Sequence, residues 1–264
     1  MALAATTREI GTATDTPVLH FDELDSTNAE ARRCAEVGEI GPLWITARRQ
    51  TAGRGRRGRI WETGAGNLAA TLLTVVDKPP AEAAEIAFVA ALAVRDLAVL
   101  QVPEALVRLK WPNDVLVGDC KVSGVLIESG KRGDGRLWLA VGVGVNLASP
   151  PEASERPATS FKDHLRADIA APLSPDAALG ELSRAFARWL EVWTHYGFEP
   201  IRDAWTAAAD MGRACIARLD RETVEGVAEA LEADGALRLR LADGSARRIT
   251  AGDVFFPDVI GEPR

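Results

Sequence analysis

The chain is poor in the residues that do most thiol, imidazole and metal chemistry. Its 264 residues include three cysteines, Cys34, Cys120 and Cys215. They are too few and too scattered for a disulfide framework and form no C-x-x-C pair, which points to a reducing cytoplasmic setting. The three histidines, His20, His164 and His195, are dispersed, with no H-E-x-x-H spacing, so none is assigned to a metal or to catalysis. No G-x-S-x-G elbow is present for serine nucleophile chemistry. Long uninterrupted apolar runs are also missing. The longest apolar stretch, residues 81–100, is broken by Glu82, Glu85, Arg95 and Asp96, which fits a core helix and excludes a membrane span. The opening M-A-L-A-A-T-T-R-E-I has no basic start followed by an apolar segment, so secretion is not expected. A net charge of −7 argues against bulk nucleic-acid binding.

Against that acidic background one segment stands apart. Residues 46–61 hold six arginines and three glycines with no acidic residue. Glycine lets backbone approach a ligand closely, and arginine offers permanently charged forks for carboxylate and phosphate oxygens. The pattern predicts a clamp over a small anion. Gly53, Gly55 and Gly58 have G-x-G-x-x-G spacing, but arginines fill the intervening positions and W-E-T-G-A-G-N follows, which does not open a helix as a dinucleotide fingerprint should. An RNA-binding arginine patch and a solvated charged turn remain as rival readings of the loop alone.

A second segment, residues 109–129, narrows the choice. Val115–Val117 reads as a short strand, Gly118-Asp119 as a two-residue turn, and Lys121–Glu128 as the returning strand. Pro112 cannot join a ladder through its own nitrogen, which leaves Asn113 and Asp114 at a strand mouth with Lys121 beside them. Taken alone, Lys121 reads as an exposed edge-strand lysine.

The remaining pattern predicts an α+β sheet domain followed by a small β unit. Thr27 and Glu30 are spaced as a capping box, with Gly38 as the helix stop. Strands are expected over 43–47, 67–76, 106–109, 115–117, 122–127 and 137–145, and helices over 81–100, 175–193 and 200–209. From Met211 onward short alternating runs separated by Asp234-Gly235 and Asp243-Gly244 read as hairpins, with a hairpin extension of the main sheet as the alternative. The expected division is 1–210 and 211–264.

Taken together, D-S-T-N at 25–28, Q-T-A-G-R-G-R-R-G-R-I-W at 50–61, K-W-P-N-D at 110–114, K-V-S-G-V-L-I-E at 121–128 and V-G-V-G-V-N at 141–146 resemble the biotin protein ligases, in that family's order and spacing. The resemblance runs from about His20 to near Phe256. The related lipoate ligases share the general fold, but the arginine-glycine loop fits the biotin branch better. The resemblance implies a mixed-sheet catalytic domain with a small C-terminal SH3-like barrel. The implied activity is ATP- and Mg²⁺-dependent activation of biotin as biotinyl-5′-AMP, then transfer to a lysine of a biotin carboxyl carrier protein. A lipoate–protein ligase, or a nucleic-acid-binding protein using the arginine loop, are the alternatives. About nineteen residues precede His20, too few for the helix-turn-helix that some family members carry, so no specific DNA binding is expected; a homodimer stays open.

The same resemblance assigns roles. Lys121 and Arg56 are the expected catalytic cations. Biotin is expected against Ser26, Thr27, Gln50, Gly53, Arg54, Arg56, Gly142 and Gly144, where the hydroxyls and amide suit a ureido ring and the glycines admit close approach. The nucleotide is expected against Arg54, Arg57, Trp61, Asn113, Asp114, Lys121 and Asn146. Asn113 or Asp114 are candidate Mg²⁺ partners, directly or through water. Ser26 and Thr27 read equally well as plain helix caps.

Overall fold

A computed structural model describes residues 16–256 other than 153 and 155, together with the backbone of 9–11. The expectation that no DNA reader precedes His20 concerns mostly residues outside this range, as does the predicted end of the small unit over 257–264.

In chain order the elements are β1 (Glu9–Gly11), β2 (Val18–Leu24), α1 (Thr27–Glu36), β3 (Leu43–Gln50), β4 (Leu68–Val76), α2 (Pro80–Ala83), α3 (Ile86–Gln101), β5 (Val107–Lys110), β6 (Asp114–Val117), β7 (Cys120–Lys131), β8 (Leu137–Val145), α4 (Pro175–Tyr196) and α5 (Phe198–Ala208). Then follow β9 (Ala214–Arg218), β10 (Thr223–Leu231), β11 (Leu237–Arg240), β12 (Ala246–Ile249) and β13 (Asp253–Phe255). Among the described residues, β1 to β8 form one mixed sheet in the order β1-β2-β3-β4-β8-β7-β6-β5, and β9 to β13 a second in the order β12-β11-β10-β9-β13. The β2–β3 pair is parallel and bridged by α1; the other ladders are antiparallel. The α+β expectation therefore holds, and the strands after Met211 form their own antiparallel sheet. No ladder joins β12 to β13 among the described residues, so the small unit is described as an antiparallel sheet.

Strand alternation explains the layering. On β3, Trp44 turns to the face covered by α3 and α4, where its indole nitrogen donates to Ser183 Oγ at 3.0 Å and its ring meets Phe186 edge-on at 6.1 Å. Its neighbours Leu43 and Ile45 turn to the other face and pack with Ala31 and Ala35 of α1. On β8, Leu139, Val141, Val143 and Val145 join the first face, while Ala140 joins the second. Beyond Ala140 the second face carries Gly142 and Gly144, and there the cover of α1 ends. An open shelf on the sheet results, floored by backbone.

Three sequence expectations change. The 81–100 helix is two pieces, because residues 84–88 close with i→i−3 hydrogen bonds (Ala87 N to Ala84 O, Phe88 N to Glu85 O) and the Glu85 carboxylate is drawn off to the Trp193 indole at 2.7 Å. Strand β2 was not anticipated. The Thr27/Glu30 capping box does not form: Ser26 is the N-cap residue, with extended backbone and no side-chain cap bond, and Glu30 instead binds Arg33 at 2.7 Å. The Gly38 stop is kept, at φ 98°, a left-handed conformation open to glycine.

Candidate functional site

The shelf is the floor of a cavity of about 890 Å³ walled by the start of α1, the arginine loop after β3, the β5–β6 turn, β7, the connection after β8, and Asp253 of the small sheet. It divides into a polar end and a cationic end.

At the polar end, Ser26, Thr27 and Asn28 enter from the first turn of α1, all about 4% exposed. Gln50 Oε1 accepts from the Thr27 amide at 2.9 Å and its hydroxyl at 3.3 Å, and Gln50 Nε2 donates to Thr63 at 3.1 Å. The Thr71 hydroxyl lies 2.7 Å from both Thr27 Oγ1 and Asn28 Oδ1. Two hydroxyl protons thus serve three contacts, which leaves lone pairs for a ligand N–H. Asn28 also donates to Leu126 O and to Glu128, which accepts from Arg54 at 3.3 Å as well. Gly142 leaves room for Asn28 here: a Cβ would come within 2.1 Å of Asn28 Oδ1 and displace it.

The cationic end is made by a β-bulge. Val115 pairs with Ser123 but Leu116 pairs with Lys121, so β7 carries one extra residue. Bulges redirect side chains; this one keeps Val122 in the core and turns Lys121 to the face of Gly124, whose added Cβ would come within 2.9 Å of Lys121 Nζ. Gly124 pairs directly with Gly144. Trp61 lies over this bare pair, since a Cβ on Gly144 would come within 2.2 Å of its ring. Lys121 Nζ is 5.7 Å from the Trp61 ring centroid and 2.5 Å from Asp114 Oδ1. Asp114 also has Lys110 at 3.9 Å and Arg156 at 3.7 Å. Burial pushes its pKa up, but Lys121, Lys110 and Arg156 outweigh that and hold it below the usual carboxylate range.

The arginine loop closes on itself through an Arg54–Ile60 bridge and a Gly55 N to Arg59 O bond of 2.8 Å. Arg54, Arg56 and Arg59 line the cavity. Arg56 donates to Asn113 Oδ1 at 3.3 Å. Burial disfavours its charge, opposed by Asp253 and Asp114. Two of the predicted residues lie elsewhere. Arg57, at φ 55°, turns from the cavity to Asp220 at 2.5 Å and Asp253 at 3.4 Å. Gly53 sits at the loop base, where its carbonyl accepts from the Trp61 amide at 3.0 Å and a Cβ would strike the Trp61 carbonyl. Asn146 reaches the cavity wall but is 2% exposed, and its amide donates to Thr159 O at 3.1 Å. Asn113 likewise donates to Val125 O.

Sequence reasoning did not single out Asn28, Gly124, Arg59, Arg156 or Asp253. Asn28 and Gly124 lay inside motifs already quoted, so their signal was present. Asp253 is far from the loop in sequence and carried none.

A glycine shelf with a donor-seeking amide cluster at one end and converging cations at the other is the layout of an acid-activating ligase. Residues 30–146 match the biotin/lipoate A/B protein ligase family and residues 211–256 match the biotin protein ligase C-terminal domain. A biotin–[acetyl-CoA-carboxylase] ligase of Paracoccus denitrificans is 44% identical over 237 residues, covering 88% of this chain and 97% of that protein. The corresponding Mycobacterium tuberculosis ligase is 32% identical, covering 88% and 86%. The chain belongs to the biotin protein ligase family. Among solved structures, the Aquifex aeolicus biotin protein ligase in complex with biotin and ATP has the same fold, with a TM-score of 0.73 at 24% identity, covering 90% of this chain and 97% of that one. The Leishmania major ligase in complex with biotinyl-5-AMP matches with a TM-score of 0.59 at 25% identity, covering 89% and 98%.

Proposed function

We propose that this enzyme activates biotin with ATP as biotinyl-5′-AMP and passes the biotinyl group to a lysine of a biotin carboxyl carrier domain. The observation that carries the reading is Lys121, turned by the β7 bulge onto the glycine shelf between the polar end and the arginine loop. The ureido ring belongs at Thr27, Asn28 and Gln50, which line the cavity and whose surplus lone pairs meet its N–H groups. The valeryl chain then runs over Gly142 toward Lys121, with adenine against Trp61.

The first step brings a carboxylate onto the α-phosphate, so two anions must approach. Preorganised cations lower that barrier, and positioning supplies most of the rest in phosphoryl chemistry. Lys121 neutralises the carboxylate and α-phosphate oxygens as the carboxylate oxygen bonds phosphorus and pyrophosphate departs. Arg54, Arg56 and Arg59 hold the phosphate chain and shield the mixed anhydride from water. In the second step the acceptor amine attacks the acyl carbon and AMP leaves.

A magnesium ion would accompany the triphosphate. The protein groups do not form a cage for it: no cluster of three His, Cys, Asp or Glu side chains lies among the described residues. Asp114 is encircled by three cations and Asn113 is hydrogen-bonded to Val125 and Arg56. Both are poor metal ligands in this arrangement, and no step is assigned to the metal.

Enzyme, ATP, Mg²⁺, biotin and a carrier domain are expected to yield one biotin on one carrier lysine by intact mass. With lipoate supplied in place of biotin, a lipoylated carrier, together with no product from biotin, would move the assignment to the sister branch. Strongly salt-dependent nucleic-acid affinity without ATP turnover would restore the arginine-patch reading.

A further inference from the structure

The connection after β8 brings a cation to the site that no motif announces. Its backbone is zipped to Lys121 itself: the Lys121 amide donates to Pro157 O at 2.8 Å, the Thr159 amide donates to Lys121 O at 3.0 Å, and Ala158 bridges Lys121 in parallel. Arg156, one residue earlier, is thereby fixed beside the lysine, and it lines the same cavity. Its side chain is 13% exposed, with Cζ 4.5 Å from the Phe255 ring centroid.

The carboxylates near Arg156 are already engaged. Asp114 Oδ1 is held by Lys121 at 2.5 Å, and Asp253 by Arg59 and Arg57. Arg156 reaches them only at 3.7 Å and 3.4 Å. Its Nη2 is buried yet makes no hydrogen bond. A guanidinium carries five N–H donors in a fixed fork, and a buried donor without a partner is costly. Around Asp114 and Asp253 stand Lys110, Lys121, Arg59 and Arg156, with Arg57 shared between Asp253 and Asp220, so the cations outnumber these carboxylates. The missing partner is an anion with several oxygens.

We propose that Arg156 is a phosphate-binding residue that contacts the β- or γ-phosphate of the nucleotide and the leaving pyrophosphate, completing with Lys121 and the loop arginines a cationic seat built from two distant segments. The inference rests on the adenylation reading above. The competing role is a strut between the large sheet and the small one.

The test compares wild type, Arg156→Gln and Arg156→Lys. Direct calorimetric binding of inorganic pyrophosphate reads the anion seat without turnover, and adenylate formation reads the reaction. Arg156→Gln is expected to weaken pyrophosphate binding and raise the KM for ATP roughly 10- to 100-fold, the scale of one charge-assisted hydrogen bond. Biotin affinity measured without nucleotide stays within about threefold, and Arg156→Lys recovers part of the loss. Unchanged pyrophosphate binding in Arg156→Gln overturns the proposal, as does a parallel loss of biotin and pyrophosphate binding with a lowered Tm, which marks a strut. A wild type that binds pyrophosphate through Arg156 but makes no biotinyl-AMP fails the functional reading alone.

Discussion

The roles proposed for Lys121 and Arg56 can be separated by substitution. In the proposed mechanism Lys121 stands where charge develops, so Lys121→Ala is expected to slow single-turnover adenylation by roughly 10²–10³ with a smaller change in biotin affinity. The variant also strips the buried Asp114 of its nearest partner, leaving Lys110 and Arg156 at 3.9 and 3.7 Å; a thermal melt alongside the kinetics tells lost chemistry from lost fold. Wild-type adenylation in a folded variant would remove Lys121 from the mechanism. Arg56 is proposed to retain the adenylate. Its half-buried charge is held by partners it shares with the loop, and Arg56→Gly is expected to release biotinyl-AMP about ten- to a hundredfold faster while Lys121 still makes it. Dissociation of preformed adenylate and stray labelling of an unrelated protein measure this; unchanged retention would refute the clamp. Most of these side chains were legible in the sequence because their motifs are contiguous. Arg57 was misplaced and Arg59 overlooked because adjacent loop residues point different ways according to one positive φ, which arginine does not advertise.

At the scale of elements, the shelf depends on alternation along β8, where Gly142 and Gly144 occupy the same face two residues apart. The two should fail differently. A methyl at 142 would strike the Asn28 amide and one at 144 the Trp61 ring. Gly142→Ala is therefore expected to raise the KM for biotin, and Gly144→Ala the KM for ATP, each at least about tenfold, since the added methyl pushes Asn28 or Trp61 out of place in the cavity wall on that substrate's side. Steady-state titration of each substrate decides it, and the opposite pairing would reverse the proposed orientation of the ligand. Strand β8 and the Gly118-Asp119 turn, with φ of 56° and 68°, were readable from apolar alternation and turn chemistry. The bulge in β7 was not, because an extra residue leaves no mark in composition, yet it is what aims Lys121. The split at 84–85 was equally hidden: alanine and glutamate are good helix formers, and nothing local marks the i→i−3 bonds that close there. The failed capping box was hidden too, since Thr27 is claimed by Gln50 and Thr71 from other strands.

The two sheets behave as one molecule. Leu231, Leu237, Leu239, Ile249, Val254 and Phe256 belong to the same apolar cluster as α3, α4 and the large sheet, and the Trp111 indole donates to Gly235 O at 3.0 Å. The 1–210 boundary predicted from pattern marks a change of sheet and cuts through this core. The join is also electrostatic. Asp253 of β13 binds Arg57 and Arg59, 196 and 194 residues away, and neighbours Arg156. No local sequence signal reports such a pairing. Burial pushes the Asp253 pKa up, but the Arg59 hydrogen bond and the charges of Arg156, Arg59 and Arg56 prevail and hold it at about 2, below its ordinary 3.8. A depressed folded-state pKa stabilises the protein above the unfolded value and ceases to do so as pH falls through the folded one. Asp253 should thus contribute about 2 kcal/mol at neutral pH, withdrawn between about pH 4 and pH 2. Urea unfolding of wild type and Asp253→Asn across that window is expected to show curves that converge toward pH 2, because the asparagine variant lacks the titrating group. Curves that stay parallel would show that the carboxylate does not tie the arginine loop to the small sheet.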